Sequence, residues 1–147
     1  MNVAKRFKQI NIIVSVIISV SLIMTPPGFA LPQGGNVQSG DVTISQPNDA
    51  TMNVDQKTGR ALLDWRSFSI AREETVNFNQ PGRNALAVNR VTGGDISSIF
   101  GSLNATGRVW ILNPSGILFG PTSSINAAGL LASTLNMSTQ SFLDESY

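Results

Sequence analysis

Two residue types are missing from this chain of 147 residues, cysteine and histidine. Without cysteine, no disulfide can supplement a small hydrophobic core, and no crosslink stops the unfolded chain from passing through a narrow pore. Without histidine, metal sites and general-base chemistry lose the side chain that serves them most often. The two absences together argue against an enzyme and against a metal site, and we expect no cofactor.

Long apolar runs are also scarce, and the one that exists lies near the N-terminus. Three basic residues among the first eight precede an uncharged, mostly apolar run of thirteen residues, 12–24. Small residues follow at Gly28 and Ala30, the spacing that a signal peptidase reads. The alternative is a transmembrane anchor, but thirteen helical residues are too short to cross about 30 Å of hydrocarbon. The pattern predicts a signal peptide over residues 1–30, cleaved after Ala30.

Positive charge is scarce once this leader is removed. Seven basic and nine acidic residues remain in residues 31–147, a net charge of −2. The excess of basic residues in the whole chain therefore belongs to the leader. No basic patch remains that would indicate nucleic-acid binding.

Residues 31–147 consist of short apolar runs separated by corners that contain Gly, Pro or Asn. Each run is too short for an ordinary helix and is rich in β-branched and aromatic residues, which predicts strands. Residues 95–103 instead have apolar side chains at helical spacing, which predicts one helical turn. Residues 73–74 are expected to form a solvated corner, and residues 139–147 contain no closing motif. The predicted strands are Val42–Ile44, Met52–Val54, Ala61–Trp65, Phe68–Ile70, Thr75–Phe78 and Ala85–Val91.

The better strands recur at a loose period. They begin near Ala61, Leu86, Val109 and Leu130, at separations of 25, 23 and 21 residues. A solenoid in which each coil is one turn of the chain has this organisation. The period therefore predicts an all-β domain built as a parallel β-helix, with a β-sandwich as the alternative.

The stretch at 107–138 carries the sharpest of these corners, Asn113-Pro114-Ser115-Gly116. Asn and Gly tolerate positive φ, and Pro fixes the φ of the first central position of a turn. This four-residue segment is predicted to be a tight turn between two strands.

Five segments in this order closely resemble the N-terminal secretion domain of two-partner-secreted proteins, the filamentous haemagglutinin group. The resemblance covers residues 53–138 and is less secure for residues 31–52. Five motifs in register are far more specific than the turn alone. They read GRALLDWRSFSI (59–70), ETVNFNQPG (74–82), ALAVNRVTGG (85–94), GRVWILNPSGILFG (107–120) and INAAGLLASTLNMS (125–138).

The resemblance implies a right-handed parallel β-helix, a single-stranded solenoid with short extra strands. It implies export by the general secretory translocon, then recognition in the periplasm by an outer-membrane barrel transporter and folding outside the cell. Asn113, Pro114, Ser115 and Gly116 would form the secretion motif. Contacts with the transporter are expected at Asn77, Asn79 and Arg90. The product would be secreted or reach the bacterial surface as part of a haemagglutinin-like adhesin.

Three departures from the family pattern affect these expectations. Ser115 replaces the usual second Asn of the turn, and the family's second motif, Asn-Pro-Asn-Leu, is absent. Family secretion domains also extend further and precede a long passenger, so residues 31–147 are expected to be a partial domain. A surface adhesin with a host or cell-surface receptor, or a fragment of a contact-dependent-inhibition toxin, remains an alternative.

For three other sets of residues we prefer a structural role to a functional one. The asparagines could bind sugars, but stacking or capping of corners is the expected role. The carboxylates could form the acid–base pair of a small polysaccharide-acting enzyme, but such a pair must converge in a groove. The aromatic residues could form a sugar-stacking platform, but packing in the core is their usual role. These three sets are Asn77, Asn79, Asn89 and Asn104; Asp64, Glu73, Glu74 and Asp95; and Trp65, Phe68, Phe78, Trp110 and Phe119.

Overall fold

A computed structural model describes residues 30–147, and this part of the chain folds almost entirely as strands. Twelve strands and one short helix follow one another in it. They are β1 (Asn36–Ser39), β2 (Val42–Asn48), β3 (Thr51–Gln56), β4 (Arg60–Trp65), β5 (Thr75–Asn79), β6 (Leu86–Val91), β7 (Ser97–Ile99), β8 (Ser102–Ala105), β9 (Arg108–Leu112), β10 (Ile117–Phe119), β11 (Ser124–Asn126), β12 (Gly129–Ser133) and α1 (Thr139–Leu143).

The strands stack as the coils of a parallel β-solenoid. One face is a sheet in which β3, β5, β8 and β11 are parallel neighbours. A second face is formed in the same way by β4, β6, β9 and β12. On the third face β7 pairs with β10, and Ile70 bridges to Ile99. The all-β, parallel β-helical fold predicted from the sequence is confirmed, with about four coils.

The coils stack in a register close to the predicted period. Ala61 of β4 lies beside Ala87 of β6, which lies beside Val109 of β9 and then Leu130 of β12. The predicted second position, Leu86, is one residue too early, because Leu86 pairs with Arg60. The same side chains therefore recur one above another along the solenoid axis.

The core fills the inside of the coils. Alternate residues of β3 and β5 are buried, as expected for strands with one face toward an apolar interior. A second, smaller apolar cluster lies outside β4, β6 and β9, where Phe142 of α1 covers Leu62 and Val88. The principal core contains Leu31, Met52, Val54, Ala61, Leu63, Trp65, Phe68, Ile70, Val76, Phe78, Ala87, Val91, Ile99, Leu103, Val109 and Ile111.

Glycine is required where one coil passes close to the next. A Cβ at Gly101 would collide with the carbonyl oxygens of Ala71 and Glu74, and one at Gly107 would lie 2.6 Å from the carbonyl oxygen of Ala85. None of these three oxygens can move freely, because each belongs to the corner of the preceding coil. The corner glycines read from the sequence thus set the distance between coils.

The solenoid begins with two antiparallel strands. β1 pairs antiparallel with β4, and β2 pairs antiparallel with β3. Val37, Val42 and Ile44 of these strands pack against the first coil of the core. Residues 31–40 therefore contribute one strand, β1, to this cap.

The predicted helical turn over residues 95–103 is wrong, and so is the predicted strand Phe68–Ile70, where only Ile70 forms an isolated bridge. Residues 95–103 contribute to β7 and β8 rather than to a helical turn, because Ile99 and Leu103 belong to strands on either side of the Gly101 corner. Residues 139–147, where the sequence shows no closing motif, begin with α1, whose N-cap is Ser138. The Ser138 side chain accepts the N–H of Ser141, as expected of an N-cap serine.

The predicted signal peptide lies almost entirely outside the described residues. Ala30, its predicted last residue, is the first residue described. In residues 30–147 no helix has the length and apolar character needed to cross a membrane.

Candidate functional site

The predicted turn at residues 113–116 lies at the corner between β9 and β10. Asn113 immediately follows β9 and is completely buried. Its amide nitrogen Nδ2 donates to the carbonyl oxygen of Asp95 at 3.0 Å and to the hydroxyl oxygen of Ser97 at 2.9 Å. Both acceptors belong to the equivalent corner of the preceding coil. A residue type usually exposed in turns is here used to join two coils.

The same side chain shapes its own turn. Oδ1 of Asn113 accepts the N–H of Ser115 at 2.9 Å, and the carbonyl of Asn113 accepts the N–H of Gly116 at 3.0 Å. Gly116 has φ of +113°, a conformation that an L residue with a side chain rarely adopts. Asn, Pro and Gly are therefore each explained by the geometry of this turn.

The turn also contacts the coil that follows. The N–H of Asn113 donates to the carbonyl of Ser133 at the end of β12, at 3.0 Å. The carbonyl of Gly116 accepts the N–H of Ser97 from the preceding coil, at 2.9 Å. Asn113-Pro114-Ser115-Gly116 consequently connects three successive coils and is predicted to stabilise their stacking.

Only the tip of the turn faces solvent. Pro114 and Ser115 are exposed, whereas Asn113 is buried. Ser115 contributes its backbone N–H to the turn, a contact that any residue other than proline could make. Replacement of the family's second Asn by Ser is therefore compatible with the Asn113 hydrogen bonds.

Asn77 and Asn79 lie on the outer side of β5. Nδ2 of Asn77 donates to Oδ1 of Asn53 at 3.0 Å, and Asn104 in turn donates to Oδ1 of Asn77 at 3.0 Å. Asn79 donates to the carboxylate of Asp55 at 2.7 Å. These bonds form a ladder across three coils, the stacking role expected for asparagine.

Arg90 of β6 is engaged in a bidentate ion pair. Its Nε and Nη2 donate to the two carboxylate oxygens of Asp64 at 2.7 and 2.9 Å, and Nη1 donates to the carbonyl of Met137 at 2.9 Å. The side chains of Arg90 and Asp64 are only 13% and 21% exposed. Asp64, named in the sequence as a candidate acid–base carboxylate, is therefore engaged in an ion pair.

The predicted site residues fall into two separate groups. Arg90 and Pro114 line the same surface depression, together with Asn136. Asn77 and Asn79 line a different depression, on the face formed by β5 and β8. The fold thus brings Arg90 toward the turn and leaves the two asparagines on another face.

Glu74 corrects the prediction of a solvated corner at residues 73–74. Glu73 is exposed, but Glu74 is only 3% exposed. Its Oε1 accepts the N–H of Ala30 and its Oε2 accepts the N–H of Ala71, each at 2.7 Å. Nothing in the sequence near residue 74 indicates this burial, because the first of these donors lies 44 residues away.

Asn89 is a second polar residue whose place the sequence did not reveal. It is fully buried inside the solenoid, where Oδ1 accepts the indole N–H of Trp65 at 2.9 Å. Its Nδ2 donates to the carbonyl of Trp110 at 3.1 Å. The available signal was a polar residue within an apolar strand, because Ala87 and Val91, its neighbours on the same side of β6, both belong to the principal core.

The aromatic residues divide between core and surface. Trp65, Phe68 and Phe78 are buried in the core, as expected. Trp110 is half-buried on the outside of β9, where its ring meets that of Tyr147 edge-on with centroids 4.9 Å apart. Phe119 is 37% exposed. Residues 30–147 hold no group of side chains suited to a metal ion.

Comparison with known proteins agrees with this architecture. Residues 29–147 match the family described as the TPS secretion domain. A heme/hemopexin-binding protein of Haemophilus influenzae strain Rd is 43% identical over 107 residues, covering 73% of this chain and 12% of that protein. A second Haemophilus influenzae protein of the same description is 37% identical over 142 residues, covering 97% of this chain and 15% of that protein.

The crystal structure of the HMW1 secretion domain from Haemophilus influenzae superposes on this fold with a TM-score of 0.73 at 33% identity. The match covers 78% of this chain and 30% of that one. The chain thus spans a small part of the length of each relative. With a matching family over all of residues 30–147 and the same fold in a solved relative, the chain belongs to the TPS secretion domain family, the secretion-targeting modules of two-partner-secreted exoproteins.

Proposed function

We propose that residues 31–147 are recognised in the periplasm by an outer-membrane barrel transporter and fold as a β-helix outside the cell. The observation that carries this proposal is the Asn113 network, because it gives the turn a different state before and after folding. In an unfolded chain the Asn113 amide is available to a partner. In the folded chain that amide is buried and bonded to Asp95 and Ser97.

This difference gives the turn a role in the direction of transport. Removing a buried amide from its hydrogen bonds costs free energy, so the folded corner resists unfolding once it has formed. Folding of successive coils on the outside would then oppose return of the chain into the transporter. The turn therefore serves secretion in two ways. In the unfolded chain it contacts the transporter, and in the folded chain its hydrogen bonds stabilise the stacked coils.

Asn77, Asn79 and Arg90 are proposed as further contacts with the transporter. In the folded chain, Asn77 bonds to Asn53 and Asn104, and Arg90 bonds to Asp64. These hydrogen bonds form only when the partners assemble, so in the unfolded chain the same groups can contact the transporter. An extended chain that adds a strand to a partner's sheet would present such side chains beside its main-chain hydrogen bonds.

Residues 1–30 are proposed to be the signal peptide that brings the chain to the general secretory translocon. The charged start, the uncharged apolar run and the small residues at Gly28 and Ala30 support this assignment. Cleavage after Ala30 would release the secretion domain into the periplasm, where the transporter takes it up.

We also propose that this secretion domain is part of a longer exoprotein. The chain spans 12% and 15% of two relatives described as heme/hemopexin-binding proteins. We infer that the secretion domain serves an exoprotein of that kind or a haemagglutinin-like adhesin, secreted or displayed at the cell surface. A catalytic role is not favoured, because Asp64 is committed to Arg90 and Glu74 to backbone N–H groups.

A secretion assay with matched variants tests the role of the turn. Residues 1–147 would be expressed with and without a two-partner transporter encoded beside the gene, and protein in the medium would be quantified. We expect transporter-dependent release of the wild type and of Ser115→Ala, because Ser115 contributes only backbone. Asn113→Ala should reduce release at least several-fold.

A stability measurement on periplasmic protein from the strain without the transporter separates the two roles of the turn. If Asn113→Ala unfolds more easily and is also released less, folding is sufficient to explain the motif. If its stability equals that of the wild type while release falls, the transporter contacts Asn113 directly. Equal release of all three proteins with and without the transporter would contradict the proposal.

A further inference from the structure

Glu74 is a buried carboxylate that no part of the secretion mechanism uses. It is 3% exposed, and its two oxygens accept backbone N–H groups from Ala30 and Ala71. Among residues 30–147 the ion pairs join Lys57 with Asp41, Arg60 with Glu145 and Arg90 with Asp64, so none involves Glu74. A buried carboxylate is costly unless a positive charge or strong hydrogen bonds compensate it.

The contact with Ala71 has a local explanation. The N–H of Glu74 donates to the carbonyl of Ala71 at 2.9 Å, and the side chain reaches back to the N–H of Ala71. This closes the turn between the first two coils. A glutamine could close the same turn with its amide oxygen, so the turn alone does not account for a carboxylate.

The contact with Ala30 has no such local explanation, and it occurs at the predicted cleavage site. Ala30 is the last residue of the predicted signal peptide, and Leu31, the next residue, is completely buried in the core. Successive backbone nitrogens lie at most about 4 Å apart. The nitrogen of Leu31 therefore lies within about 7 Å of the Glu74 carboxylate, and the buried Leu31 side chain fixes its position.

We propose that Glu74 receives the α-ammonium group that signal-peptide cleavage creates at Leu31. Hydrolysis of the Ala30–Leu31 peptide bond by water leaves a carboxylate on the departing Ala30 and an amino group on Leu31, which takes up a proton. The new cation replaces the neutral N–H of Ala30 as the partner of Glu74. Cleavage thus supplies the positive charge that the buried carboxylate lacks in the precursor.

The pair would couple processing to folding. Glu74 is fixed in the corner between coils, since its carbonyl accepts the N–H of Ser102 at 2.9 Å. A charge-assisted contact between Leu31 and Glu74 would fasten the start of the mature chain to this corner. The precursor, with a neutral amide at this position, would form a less stable first coil. This inference rests on the proposed cleavage after Ala30.

The test compares two N-termini, each with Glu74 intact and with the substitution Glu74→Gln. The full chain is exported and the processed protein is purified from the periplasm, with intact mass to define its N-terminus. A second form carries a Ser-Thr dipeptide inserted after Ala30, so that cleavage moves the ammonium two residues away from Leu31. Glu73→Gln is made in both forms as the matched control, because Glu73 is exposed.

We expect Glu74→Gln to raise the unfolding equilibrium constant about tenfold or more in the natural form and clearly less in the extended form. Glu73→Gln should change neither. An equal effect of Glu74→Gln in both forms would overturn the proposal, since Glu74 would then only accept backbone N–H groups. If Glu74→Gln does not fold, the two N-termini are compared with Glu74 intact. A lower stability of the extended form supports the pair, and equal stability overturns it.

The mass measurement keeps this inference separate from the proposed function. A natural N-terminus other than Leu31 overturns the pair as stated, whatever the transporter does. Loss of transporter-dependent secretion would leave the comparison of the two N-termini unaffected, because it is made on periplasmic protein without the transporter.

Discussion

The two ends of the solenoid are built differently. At the N-terminal end, β1 and β2 run antiparallel to the first coil, and Ile44 and Val37 cover its core. At the other end, β11 and β12 pair on one side only within residues 30–147. Inward-facing residues of that last coil remain open, with Leu130 39% and Phe119 37% exposed. One end is capped and the other keeps a parallel edge.

The chemistry of the two edges follows the same division. β2 carries Pro47 and a register irregularity between Ser45 and Asn48, features that discourage pairing with another strand. β12 has the sequence GLLAS, with no charge and no proline. An antiparallel cap ends a parallel stack, whereas an uncharged parallel edge matches the strand that a further coil would add. Within residues 30–147, the first coil is covered by an antiparallel cap, and β12 presents a parallel edge without the features that discourage pairing.

The largest expected difference between the ends concerns matched truncations in the core. Leu63→Ala in β4 removes a completely buried side chain and is expected to cost about 3 kcal/mol of unfolding free energy. Leu130 in β12 faces the same interior but is 39% exposed, so Leu130→Ala should cost less than about 1 kcal/mol of unfolding free energy. Chemical denaturation of the two purified variants measures both. Equal losses would mean that the last coil is packed as firmly as the first.

Corner glycines provide the second contrast. Gly101→Ala would drive a Cβ into two backbone carbonyls, and we expect a loss of about 3 kcal/mol. Gly120→Ala meets the ring of Phe100, a half-buried side chain rather than backbone, so the expected loss is about 1–2 kcal/mol. Gly94→Ala, where a Cβ meets open space, is the control. Thermal unfolding measures the three losses of stability. A greater loss for Gly120→Ala than for Gly101→Ala would contradict the difference between the ends.

Ion pairs give a third and smaller contrast. Asp64→Asn breaks a bidentate pair whose side chains are 13% and 21% exposed, and leaves Arg90 without its carboxylate. We expect a loss of about 1–2 kcal/mol. Asp41→Asn breaks an exposed pair with Lys57, at 3.7 Å, and should leave the unfolding midpoint unchanged. Added salt should not reduce the effect of Asp64→Asn greatly, because the pair is mostly shielded from solvent. A midpoint equal to wild type for Asp64→Asn would show that desolvation cancels the pair.

The repeating part of the fold could be predicted from the sequence because local signals agree there. Corner glycines and prolines divide the chain, β-branched residues fill the strands, and the positions Ala61, Val109 and Leu130 indeed stack. The predicted corner at 113–116 is a turn for the reasons that its residue types gave. A repeat can be recognised from the sequence because each coil has the same pattern of corner and strand residues.

The rest could not be predicted because it depends on contacts between distant residues. The burial of Glu74 depends on Ala30, and that of Asn113 on Asp95 and Ser97 in the preceding coil. Residues 95–103 have apolar spacing that fits a helix, but the corner at Gly101 divides them into two strands. Sequence patterns describe each strand's own periodicity and carry no information on which neighbour covers a polar residue.

The smallest predicted effect concerns the open edge itself. Residues 31–147 are expected to self-associate weakly through β12, because an uncharged parallel edge and the open inner face of the last coil lie together there. Leu130→Lys places a charge at that end and should weaken self-association about fivefold, close to 1 kcal/mol. Thr43→Lys, on the exposed side of the already protected β2, should leave it unchanged. Sedimentation velocity over a range of concentrations distinguishes these outcomes. If the wild type is monomeric at every concentration, exposed apolar residues at the last coil do not suffice to pair two solenoids. Pairing at an edge would then need matching coils as well as free hydrogen-bonding groups.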